Sequence, residues 1–197
     1  MISLIQCDDF APDAVSVRDA VISGEFKTVK GPDGGDYTGV QFREMDNWTE
    51  RISYVVGRTI KPKLSGFRLN LKGELPHSWV HSDDICAEMA SVLYLNPPNQ
   101  CSGGTAFWKH VGFGIDSAPT SGEIIAAGFN PNWMYRTLSN DWKELDYWEM
   151  TNFCAMKWNR FITYPTKMFH SRYPFEAFGE GPKDGRLVWV CFFDFAK

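Results

Sequence analysis

Helical spacing of apolar residues marks the first third of the chain. In DDFAPDAVSVRDAVISGEF, Ala14, Val17 and Val21 recur on one helical face behind Pro12, which suits a first helical turn. DNWTERISYVVGRTI repeats the pattern through Trp48, Ile52 and Val55, with Asp46 as the expected cap and Gly57 as the expected stop. The intervening KGPDGGDYTGV reads as loop. From residue 64 the texture changes to short runs rich in β-branched and aromatic residues: LSGFRLNLKG, SWVHSD, ASVLYLN, TAFWKHVGF, GEIIAAG, NRFITYP and GRLVWVCFFDF. Pro, Gly and Asn clusters separate them, as turns separate strands. One helical interruption is expected at DWKELDYWEM, where Asp141 and Glu144 are spaced for a capping box.

Two helices followed by strands without βαβ alternation predict an all-β core with flanking helices (α+β), an antiparallel sandwich or barrel with the helices packed on one side. A length of 197 residues with 44% hydrophobic and 15% aromatic content is sized for one well-filled core. A single domain over 1–197 is therefore expected, with helical support from 1–62, a β core over 63–197 and an insertion around 109–150. There is no internal repeat, low-complexity tract or linker.

Charge and cysteine content narrow the function classes. Twenty Lys plus Arg against 24 Asp plus Glu give a net charge of −4, and no basic run is placed to follow a phosphate backbone. Nucleic acid is not an expected partner. Cys7, Cys86, Cys101, Cys154 and Cys191 are scattered and contain no CxxC pair, which points to free thiols in a reducing compartment. The opening MISLIQCDDF has no basic leader, and no apolar run reaches membrane-spanning length, so a cytoplasmic protein without a membrane partner is expected.

Candidate chemistry centres on WVHSDDICAEM. In a strand, positions i and i+2 share a face about 7 Å apart, so His81 and Asp83 can both reach one ion, while Asp84 points away. Taken alone, such a pair is also what an exposed polar strand face carries. His170 follows the strand-like NRFITYP and supplies a third ligand if the fold joins distant strands. Two histidines and one carboxylate on one face form the facial triad of non-haem Fe(II) oxygenases. Arg186 opens the final strand, either as a solvated edge residue or as a guanidinium that clamps the distal carboxylate of a keto-acid cosubstrate. His77 and His81 have a zinc-helix spacing but lack the HExxH glutamate. His110 reads as a surface residue at a strand end. Trp79, Trp108, Trp133 and Trp142 suit either a substrate channel or ordinary packing.

The ordered set His81-Ser82-Asp83, Tyr94-Leu95-Asn96, Ser102-Gly103-Gly104-Thr105, Asn159-Arg160, His170 and Arg186 resembles the Fe(II)/2-oxoglutarate-dependent dioxygenases, most closely the prolyl-4-hydroxylase-like branch. The resemblance spans roughly residues 64 to 195 and implies a double-stranded β-helix of jelly-roll or cupin-like type. It implies that His81, Asp83 and His170 hold Fe(II), that Arg186 anchors the far carboxylate of 2-oxoglutarate, and that the Tyr94 hydroxyl supports it. The gap between His170 and Arg186 is wider than that branch usually shows, which leaves Lys183 and Arg172 as alternative anchors. Arg68 and Asn70 stand where a tyrosine is usual. The implied reaction uses O2, releases succinate and hydroxylates a peptidyl or small-molecule substrate; aspartate at 83 favours hydroxylation over halogenation. Two other readings compete: a cupin-like metal enzyme without a keto acid, and a catalytically silent β-barrel used in binding or assembly.

Overall fold

The structure is a computed structural model that describes residues 4–31, 34–74, 79–83 and 86–197. In chain order its elements are β1 (Ile5–Cys7), α1 (Ala14–Ile22), β2 (Lys27–Lys30), β3 (Asp36–Gln41), α2 (Asp46–Val56), β4 (Ile60–Asn70), β5 (Met89–Tyr94) and β6 (Gly104–His110). They continue with α3 (Ser121–Ala126), α4 (Pro131–Asp141), β7 (Trp148–Ala155), β8 (Phe161–Pro165), β9 (His170–Tyr173) and β10 (Arg186–Phe195). The strands form an antiparallel sheet in the order β1-β8-β5-β10-β4-β3-β2 and a second in the order β7-β6-β9. Both sheets are open, with no closed barrel among the described residues.

Alternation along β10 shows how the layers are built. Leu187, Trp189, Cys191 and Phe193 face outward onto α1 and α2, where Val17, Val21, Trp48 and Ile52 complete one core. The Trp48 ring meets Trp189 edge-on at 5.2 Å and Phe67 at 5.9 Å. Val188 faces the other way and packs with Val92, Tyr94 and Ile162 against Phe107 and Cys154 of the small sheet. A third cluster, Ala106, Trp108, Trp148 and Phe169, covers the far side of the small sheet beneath Leu138 of α4. The candidate chemistry thus lies between two sheets whose outer faces are both packed.

Several expected elements are shifted. GEIIAAG is not a strand but lies largely within α3, because Thr120 and Glu123 form a reciprocal capping box that starts a helix there. The helix expected at DWKELDYWEM runs earlier, as α4, capped by the Asn130 side chain on the Trp133 amide with Pro131 in the first turn. No capping box joins Asp141 to Glu144; the chain instead enters β7, an edge strand whose mostly exposed side chains hide it in the sequence. KGPDGGDYTGV contributes most of β3, which needs no apolar run because it borrows its register from β2 and β4. Asp46 is the first residue of α2 and Met45 its cap, while Gly57 ends it in the left-handed conformation, as expected. No helix among the described residues is long and apolar enough to cross a membrane.

Because Trp189 is fully buried between α2 and the large sheet, Trp189→Ala is expected to destabilise the chain by about 3–5 kcal/mol. Val15→Ala, on an exposed position of α1, should stay within about 0.5 kcal/mol. Urea unfolding followed by tryptophan fluorescence and circular dichroism measures both.

Candidate metal centre

β9 places His170 against His81 by antiparallel pairing. The His81 amide donates to the His170 carbonyl at 3.0 Å and the His170 amide returns a bond of 2.9 Å. Two residues on, the Asp83 amide donates to the Thr166 carbonyl at 2.8 Å. These bonds bring together three side chains separated by up to 89 residues: ligand atoms of His81, Asp83 and His170 all lie within 4.8 Å of one another. His170 Nε2 is 3.2 Å from Asp83 Oδ2 and His81 Nε2 is 3.9 Å from Asp83 Oδ1. First-row ions bind imidazole nitrogen and carboxylate oxygen at roughly 2.0–2.2 Å, which sets neighbouring ligand atoms about 3 Å apart. The donor set therefore fits a divalent ion after small adjustments. His77 and Asp84 lie outside the described residues.

The protons on both imidazoles are fixed by backbone acceptors. His170 Nδ1 lies 2.8 Å from the Met168 carbonyl and His81 Nδ1 lies 3.3 Å from the Trp79 carbonyl. A carbonyl only accepts, so Nδ1 carries hydrogen in each ring and Nε2 is turned toward Asp83. Burial raises the Asp83 pKa, but the hydrogen bond from His170 and the charges of both histidines outweigh it and hold the carboxyl at about 2. The ionised carboxylate is the form a metal requires, and both rings present Nε2 to it. Tyr164 supports the His170 ring at 4.8 Å between centroids, and burial pushes its own hydroxyl well above its usual pKa.

Arg186 sits at the head of β10, buried, on the same side as Val188 and Tyr94. Asn96 holds that strand head in place: its Nδ2 donates to the Gly185 carbonyl at 2.8 Å and its Oδ1 accepts from the Leu187 amide at 2.8 Å. Arg186 donates to Asn70 Oδ1 at 3.1 Å, while its buried Nε has no partner among the described residues. Its guanidinium lies 6.0 Å from the Tyr94 ring. The Tyr94 hydroxyl shares a 2.7 Å hydrogen bond with Thr105, and burial pushes its pKa up to about 12, so it stays protonated. Gly103, with φ of 71°, and Gly104 start β6 where a Cβ would collide with the Tyr173 and Cys154 carbonyls.

Of the two alternative anchors, Lys183 is exposed in the loop before β10, whereas Arg172 faces inward two residues beyond His170, opposite Thr105. Arg68 and Asn70 both donate to Glu74, at 3.1 and 3.0 Å. Asn159 and Arg160 serve the fold instead: Asn159 pairs with both backbone groups of Ala11, and Arg160 binds Asp8. His110 is not a surface residue; it is buried against Asp141 at 3.1 Å and meets the Trp148 ring edge-on. Trp108 is a core residue and Trp133 is exposed, while Trp79 stacks on Phe175 at 4.7 Å near the triad. Tyr164 and Glu74 were not singled out in the sequence, and Thr105 entered there only as the last residue of Ser102-Gly103-Gly104-Thr105. Thr105 and Tyr164 are inward positions of strands already recognised there, whereas nothing local marks Glu74.

A family model described as a family of unknown function (DUF6445) matches residues 68–193. No curated protein matches the sequence. In fold the chain is similar to IDO from Bacillus thuringiensis, with TM-score 0.51 and 12% identity over 99% of this chain and 94% of that one. It is likewise similar to AviO1 from Streptomyces viridochromogenes Tue57, with TM-score 0.50 and 10% identity over 99% and 90% of the two chains.

Anaerobic titration with Fe(II) or Co(II) is expected to saturate at one ion per chain, and His170→Ala or Asp83→Ala to abolish stoichiometric binding. Asn96→Ala, which leaves two buried backbone groups unpaired, should cost about 1–3 kcal/mol in urea unfolding.

Proposed function

We propose that this chain, which belongs to the DUF6445 family, is an Fe(II)- and 2-oxoglutarate-dependent dioxygenase that hydroxylates its substrate. The observation that carries this reading is the convergence of His81, Asp83 and His170, with the buried Arg186 on the face of the large sheet that packs toward the small one. On this reading the two sheets are the halves of a double-stranded β-helix similar to that of the prolyl-4-hydroxylase-like branch. The chain acts as a single domain, with 1–62 bracing the large sheet.

The roles follow from the residues. His81 Nε2, His170 Nε2 and the Asp83 carboxylate would hold the ferrous ion, a ligand set of the kind non-haem iron oxygenases use. When bound, iron and 2-oxoglutarate activate O2, and the keto acid is lost as carbon dioxide and succinate while the substrate gains a hydroxyl. Arg186 meets the distal carboxylate of 2-oxoglutarate with N–H groups that its protein partners leave unused. Tyr94, kept protonated by burial and held by Thr105, supplies a neutral hydroxyl beside it. Phe107, Tyr164 and Val188 wall the interior and exclude water.

Incubation with Fe(II), ascorbate and 2-oxoglutarate is expected to release succinate, with none from His81→Ala or Asp83→Ala. Arg186→Ala should raise the KM for 2-oxoglutarate by roughly 100-fold, the effect of losing one partner of a buried charge pair. Metal binding without any use of 2-oxoglutarate contradicts the proposal and favours a cupin-like enzyme without a keto acid. Absence of metal binding favours a silent barrel.

A further inference from the structure

Among the described residues, the polar network beside the triad carries more positive charge than its neighbours neutralise. Arg186 donates to Asn70, Asn70 and Arg68 donate to the Glu74 carboxylate, and Arg172 donates to the Glu74 and Phe175 carbonyls. Among the described residues, Glu74 is the carboxylate that faces all three arginines. Three guanidinium charges less one carboxylate leave two. Burying cations without counter-charge is costly, so the network is built to receive anionic groups.

The proposed function, on which this inference rests, accounts for one of the two. The 2-oxoglutarate dianion would bring two carboxylates, one for Arg186 and one that, with Asp83, would offset the charge of the ferrous ion. One positive charge remains, and Arg172 is placed to carry it toward a substrate. It lies on β9 two residues from His170, hence on the same strand face. Among the described residues its hydrogen-bond acceptors are carbonyl oxygens, which fix the guanidinium without neutralising it. Beyond it Trp79, two residues from His81, stacks on the Phe175 ring, which packs with Trp108 over the far side of the small sheet.

We propose that the substrate is a small molecule with a free carboxylate, of the free amino-acid or short carboxylic-acid class, held by Arg172. An internal residue of a peptide has no such group to offer unless its own side chain is acidic. Arg186 is then the cosubstrate anchor and Arg172 the residue that selects the substrate.

The test is calorimetric titration of the full chain, loaded anaerobically with Mn(II) and 2-oxoglutarate, using the twenty free L-amino acids, short aliphatic carboxylic acids and the amides of both. Succinate release in air with Fe(II) is measured in parallel. At least one free acid is expected to bind and to accelerate succinate release, with its amide bound at least about 30-fold more weakly. Arg172→Gln should erase that preference while leaving 2-oxoglutarate affinity within about twofold, and Arg172→Lys should restore part of it. Equal binding of acid and amide, or no binding across the panel, overturns the inference. So does a loss of 2-oxoglutarate affinity in Arg172→Gln, which would make Arg172 the cosubstrate anchor. Failure of the underlying reading is separately visible, because the wild-type chain would then not bind 2-oxoglutarate before any acid is added.

Discussion

Two backbone hydrogen bonds between His81 and His170 are the constraint from which the site follows. They join positions 89 residues apart and set the imidazole centroids 4.5 Å from each other. Asp83 is held on the same side by its own amide bond to the Thr166 carbonyl rather than by a strand, and Arg172 lies one same-face step from His170 on β9. The loss of either backbone bond would leave the side chains intact and the ligand set scattered. The flanking pairing of β6 with β9, which sets Phe107 opposite His170, keeps this short strand from slipping.

The second constraint is the division of labour across β10. Its outward residues are given to stability, with Trp189 and Phe193 fully buried against the N-terminal helices. Its inward face begins with a buried guanidinium, a group that costs free energy to desolvate. Asn70 and Asn96 offset part of that cost, one by accepting from Arg186 and the other by fixing the backbone on either side of it. A strand clamped on both faces is a rigid mount, and rigidity in the mount is what a charged anchor needs.

Legibility in the sequence tracked how much of each element is buried. β5, β8 and β10 are buried on both faces or nearly so, and their apolar runs were readable without the structure. α1 and α2 were readable because each buries a single stripe. β3 and β7 were not, since partners rather than their own side chains define them. α3 was misread because the two isoleucines of GEIIAAG favour a strand, whereas the cap two residues upstream decides for helix. The triad was readable because each residue type has a chemical reason to be there. Glu74 was not: its role arises from Asn70 and Arg68, and only the registration of β4 against β10 shows that these face Arg186.

The most direct test of the account is anomalous X-ray scattering at the iron edge from crystals grown anaerobically with Fe(II). The account predicts one strong peak per chain, enclosed by His81 Nε2, His170 Nε2 and an Asp83 oxygen. A peak elsewhere, or none between these three residues in crystals that contain iron, would contradict it.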